Sequence, residues 1–115
     1  MFVNGSVEHW KDSSHKNIHQ FTAEKFRGKC GFKFVIENGS PASVEINLSY
    51  KNGEMTLFFE QLSPFESTMR KINIGEGTGV SYSTVIHFDE CESGKYALAL
   101  ESKHIEHISA KFVLN

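Results

Sequence analysis

No apolar run in this 115-residue chain is long enough to cross a bilayer, and the first ten residues lack the basic and apolar regions of a signal peptide. Two locations follow from Met1 alone: cytoplasmic if it is the native start, secreted if it was added to a mature fragment. Cysteine is scarce. Cys30 and Cys91 permit one disulfide without demanding it, and a reducing compartment would leave both thiols free. Net charge is scarce as well: the formal value of −2 and a pI near 6.3 give no general pull toward nucleic acid or anionic lipid. Lys16, Lys25, Arg27, Lys29 and Lys33 thicken positive charge in one region, where Glu24 and Glu37 dilute it.

Catalytic signatures are missing too. Gly75-Glu76-Gly77-Thr78-Gly79 lacks the Gly-Lys-Ser/Thr ending of a phosphate loop, and its spacing is wrong for dinucleotide binding, so it is expected to be a mobile loop. Ser81, Ser83, Ser93 and Ser109 all lack the glycine context of a nucleophile elbow. No His-x-His with a following Glu marks a cupin metal site, and Glu8-His9-Trp10 is not the Gly-x-Trp of a lipocalin.

What the chain does have is alternation. From Ser43 to Gln61, SVEINLSYKNGEMTLFFEQ, apolar residues recur at every second position on both sides of Asn52-Gly53, the dipeptide that favours a type I′ turn. The expectation is a β-hairpin pairing Tyr50 with Met55, Leu48 with Leu57 and Ile46 with Phe59. That register sets Glu45 opposite Glu60, a repulsion to be relieved by a basic neighbour, by splaying of the strands or by a bound cation such as Ca²⁺. It also puts Phe58 on the polar face beside Asn47, where an aromatic ring either lies under another strand or seeds a contact site.

Elsewhere, residues 1–17 read as a short edge strand with a loop. Ile18 to Arg27 carries competing periodicities, with strand preferred over helix, and Gly28 is expected to end it. Phe32, Phe34 and Ile36 resume the alternation. Phe65 to Ile74 and Val80 to Asp89 supply two further strands, and Tyr96 to Leu100 and Ile108 to Leu114 the last two. The whole reads as one all-β domain over 1–115, an antiparallel β-sandwich of about eight strands, jelly-roll or immunoglobulin-like. Ile46, Leu48, Tyr50, Leu57, Phe59, Phe32, Phe34, Ile86, Phe88, Tyr96, Leu98 and Phe112 are expected in its core.

Gln20-Phe21-Thr22, Phe32 to Ile36, Val44 to Gly53 and Ser93-Gly94-Lys95-Tyr96-Ala97-Leu98 together resemble the bacterial pre-peptidase C-terminal domains, over roughly residues 18 to 114. The resemblance implies a jelly-roll-like, non-catalytic accessory module of an exported bacterial protein, although the calcium-binding acidic clusters of some relatives have no match. Ser93-Gly94-Lys95-Tyr96 also suits the tyrosine corner of immunoglobulin-like sandwiches.

The functional expectation is a binding or accessory module that recognises a protein or a polysaccharide, without nucleic acid and without a cofactor. Phe58, Trp10 and Phe65 are its candidate contact residues. Two alternatives come from other classes: a metal-assisted enzyme and a membrane-active β-sandwich using surplus aromatics that include Phe2. For the enzyme, His87 and Asp89 would share a strand face about 7 Å apart in Cα terms, as a base with its orienting partner. His104 and His107 lie three apart, which places them on opposite faces of a strand rather than together as ligands.

Overall fold

A computed structural model describes residues 1–115 and contains only strands: β1 (Phe2–Glu8), β2 (Lys11–Asp12), β3 (Ile18–Ile36), β4 (Ser43–Ser63), β5 (Ser67–Thr78), β6 (Tyr82–His87) and β7 (Gly94–Leu114). All pairings are antiparallel, in the order β1-β3-β7-β4-β5, with β2 added to β3 and β6 to β4. Three of these strands are far longer than expected. A straight strand of the 21 residues in β4 or β7 would run roughly 70 Å, whereas the longest dimension of the molecule is 39 Å. They bend midway, and the sheet folds over on itself.

The halves of the bent strands form the two layers of an antiparallel β-sandwich. One layer contains β2, the first half of β3, the second half of β7, the first half of β4, and β6. The other contains the second half of β3, the first half of β7, the second half of β4, and β5, while β1 pairs with β3 on both sides of the Gly28 bend. Aromatic contacts cross between them: His19 stacks on Phe32 of the same strand at 3.9 Å, Phe32 meets Phe112 edge-on at 5.2 Å, and Phe88 packs on Phe34 and Phe59 at 5.5 and 5.1 Å. Every residue expected in the core is buried except Phe34, which is half-buried against it.

The hairpin at Asn52-Gly53 does not form. Residues 43–63 run as one strand along β7, from Val44 opposite Leu114 to Ser63 opposite Lys95. Of the dipeptide only Asn52 has a positive φ, 61°, whereas a type I′ turn needs both. Buried positions change from even (44, 46, 48, 50) to odd (55, 57, 59, 61) across the bend. A hairpin and an irregular bend produce the same parity switch. The consequence for Glu45 and Glu60 is that they never meet: Glu45 pairs with Val85 and Val113, and Glu60 accepts a 2.8 Å hydrogen bond from Lys29 Nζ.

Three further expectations change for related reasons. Gly28 bends β3 rather than ending it, with φ +120° and a register shift against β7 between Phe26 and Gly28. The segments Tyr96 to Leu100 and Ile108 to Leu114 are halves of the single strand β7, joined through a positive φ of 50° at His107. Gly75 to Thr78 belongs to β5, where Gly75 faces Met55 and Glu76 faces Glu54, so the glycine-rich stretch is sheet edge and not loop. Ile18 to Arg27 is strand, as preferred, and the amino-terminal edge strand is β1. Tyr96 makes the anticipated corner, its hydroxyl donating to the Glu92 carbonyl at 2.7 Å.

Candidate functional site

The three aromatic candidates do not converge. Trp10 packs on the core, stacked against Phe21 at 4.3 Å. Phe58 lies on the outer face of β4, half-buried, with Lys29 Nζ 5.0 Å and Lys71 Nζ 5.8 Å from its ring centre, a cation–π arrangement that covers the ring with charge. Phe65 is 72% exposed in the β4–β5 connection. No ring contact links any two of them.

The titratable candidates are equally dispersed. β6 ends at His87 and Asp89 lies in the turn beyond, so the shared strand face expected of them is not built. His104 reaches Glu106 at 3.5 Å, while His107 points to solvent from the bend. No group of three or more His, Cys, Asp or Glu side chains is arranged to hold a metal ion. Both thiols are free. Cys30 is fully buried and burial pushes its pKa up to about 12, and burial likewise raises that of Cys91. No helix of the chain is long and apolar enough to cross a membrane.

A large concavity lies where the long strands bend. Between the pairs Lys51–Glu106 and Thr56–Glu101, four residues of β4 face four of β7 without ladder partners, and the β3–β7 ladder shifts alongside. Backbones still approach closely there: a Cβ on Gly53 would fall 1.8 Å from the His104 carbonyl oxygen. The buried Ser102 hydroxyl donates to the Glu54 carbonyl at 2.6 Å and ties the two strands together across the gap. The result is a groove of about 820 Å³ with no hydrophobic side chain in its lining.

Its charges are of one sign on β3, β4 and β5 and mixed on β7, where Glu101, the cross-strand neighbour of Lys29, stands two residues from Lys103. Arg27 of β3 falls opposite the Lys103–His104 segment of β7, because its neighbours pair as Phe26 with Ile105 and Gly28 with Ser102. Glu54 of β4 is the direct partner of Glu76 of β5. Lys29 and Glu101 complete the charged lining. The ion pairs of the chain are His9–Glu24, Lys29–Glu60 and His104–Glu106, so Arg27, Lys103, Glu54, Glu76 and Glu101 have no partner within bonding range. The field on the acidic side is felt by Tyr50, whose hydroxyl donates to the Gly75 carbonyl at 2.6 Å. Burial, then Glu76 and Glu54, raise its pKa above the ordinary tyrosine value.

Of this groove the sequence signalled only the positive cluster around Arg27 and Lys29. The acidic side is contributed by residues of other strands, which strand pairing brings near.

No protein-family model and no curated protein matches this chain. Among solved structures it is similar to the Yersinia pseudotuberculosis-derived mitogen, with 15% identity, 86% of each chain covered and a TM-score of 0.49. It is also similar to a protein of the disulfide-linked pili that form Bacillus endospore appendages, with 15% identity, 88% of this chain and 91% of that one covered, and a TM-score of 0.36. Neither likeness bears on what this chain binds.

Proposed function

We propose that the chain is a non-catalytic binding module that recognises a protein or a polysaccharide, the accessory role implied by its resemblance to pre-peptidase C-terminal domains. The observation that carries this reading is the polar groove at the strand bends: about 820 Å³ of space bounded largely by charged and hydroxyl side chains. Such a surface recognises by hydrogen bonds and charge rather than by apolar burial. Phe58 adjoins it through Lys29, which lines the groove and also covers the ring.

The test is an NMR titration of ¹⁵N-labelled protein with panels of peptides and neutral oligosaccharides. Saturable shifts at Gly28 and Gly53, the two glycines in the groove lining, support the reading. Ligand shifts confined to other surfaces, or turnover of any panel member, would overturn it.

A further inference from the structure

Two cross-strand pairs of like charge flank the groove, and they are opposite in sign. Arg27 faces Lys103–His104 on one side and Glu54 faces Glu76 on the other. Cross-strand neighbours of like charge destabilise a sheet, and exchanging one residue of each pair would turn both into attractions. Nor does Lys103 of β7 form an ion pair with Glu54 on the adjacent strand. The fold thus carries two unrelieved repulsions at the lip of this groove, each leaving charge free to meet something else.

We propose that the groove takes an extended peptide segment bearing an acidic and a basic side chain, the acid toward Arg27 and Lys103 and the base toward Glu54 and Glu76. This inference rests on the binding-module reading and specifies its ligand. A polyanion would be attracted by the cationic side and repelled by the acidic one, and a polycation the reverse. A neutral sugar would strip water from four charges without pairing any of them. The strands set the spacing: Arg27 and Glu76 stand three strand separations apart, roughly 14 Å, and side chains three or four positions apart in an extended peptide are roughly 10 to 14 Å apart. Such a peptide would lie across the strands.

The probes are three blocked tetrapeptides, Asp-Gly-Ser-Lys and its all-acidic and all-basic counterparts, together with a neutral cello-oligosaccharide. The Asp-Gly-Ser-Lys peptide is expected to shift Gly28 and Gly53 saturably, with affinity about fivefold above either like-charge peptide and weakening as salt is raised. In the Glu54→Lys, Glu76→Lys double variant the preference should move to the all-acidic peptide. If that variant does not fold, Arg27→Gln serves instead, and it should reduce the advantage of the mixed peptide over the all-basic one, because Lys103 alone then meets the acid. Equal affinities for the three peptides, or a preference untouched by the substitutions, would overturn the inference. Groove shifts produced by the oligosaccharide alone would overturn it while leaving the binding-module reading standing. Absence of groove shifts with every probe would remove both.

Discussion

Replacing Gly53 by alanine tests the bend directly, because a bent strand and a hairpin assign that residue different costs. In the bent strand the added Cβ would sit 1.8 Å from the His104 carbonyl oxygen, 2.9 Å from its carbonyl carbon and 3.1 Å from Ile105 Cγ2. Two of those three atoms are backbone, so no side-chain rotation relieves the clash. Parting the strands to even a tight 3.0 Å contact needs a shift of about 1.2 Å, which strains the flanking pairs Lys51–Glu106 and Thr56–Glu101. Overpacking costs about 1–3 kcal/mol and a weakened ladder bond about 1 more, giving roughly 2–4 kcal/mol, or a fall in Tm of about 8–16 °C. Gly39→Ala is the control. Its φ is +77° and nothing lies within 4 Å of the new Cβ, so only the backbone preference is lost, about 1 kcal/mol. Urea unfolding of the two variants with an unchanged m-value gives the comparison. If Gly53→Ala costs no more than Gly39→Ala, the close approach is refuted and a local turn at Asn52-Gly53 becomes the better account.

Glu76→Lys replaces the Glu54 repulsion by an attraction and is expected to raise stability by about 0.5–1 kcal/mol in chemical denaturation; a loss of stability would show that Glu76 has a partner in the fold. Burial, followed by the N-terminal ammonium, lowers the pKa of His19 from 6.5, with Asp12 partly opposing. The unfolded chain therefore takes up this proton first as pH falls, so the stability that His19 contributes is complete above 6.5 and is lost as pH drops through the lowered folded value. His19→Phe should keep the stack on Phe32 and flatten that part of the stability–pH curve; parallel curves for variant and parent would refute it. Alkylation of the folded protein by iodoacetamide should modify Cys91 well before Cys30, whose labelling should track global unfolding.

How much of this was legible in the sequence follows from which signals are local. Inward and outward alternation is local, and it located eleven of the twelve expected core residues among the fully buried ones. The Tyr96 corner is local as well, since its hydroxyl bonds only four residues back. The continuity of β3, β4 and β7 is not. Gly28 and Asn52-Gly53 carry the residue types of strand ends and turns, and what keeps the chain running past them is pairing with partners tens of residues away, such as Lys51 with Glu106 and Gly28 with Ser102. A parity switch in the alternation was the visible trace of the bend, and it was equally compatible with a turn.

The same non-local pairing explains why the groove escaped sequence reasoning. Arg27, Glu54, Glu76 and Lys103 lie on four different strands and become neighbours only because β3, β7, β4 and β5 pair side by side in the sheet. Taken singly, each is an exposed charge on a strand, which needs no explanation. Taken together, they form two repulsive pairs where one exchange would have made two attractive ones, at a place where the ladder is already open and the backbones meet at a glycine. A surface under selection for stability alone would relieve those pairs at no cost to the core, because none of the four side chains is buried. That local conflict, rather than any single residue, marks the bend as the place to look for a ligand.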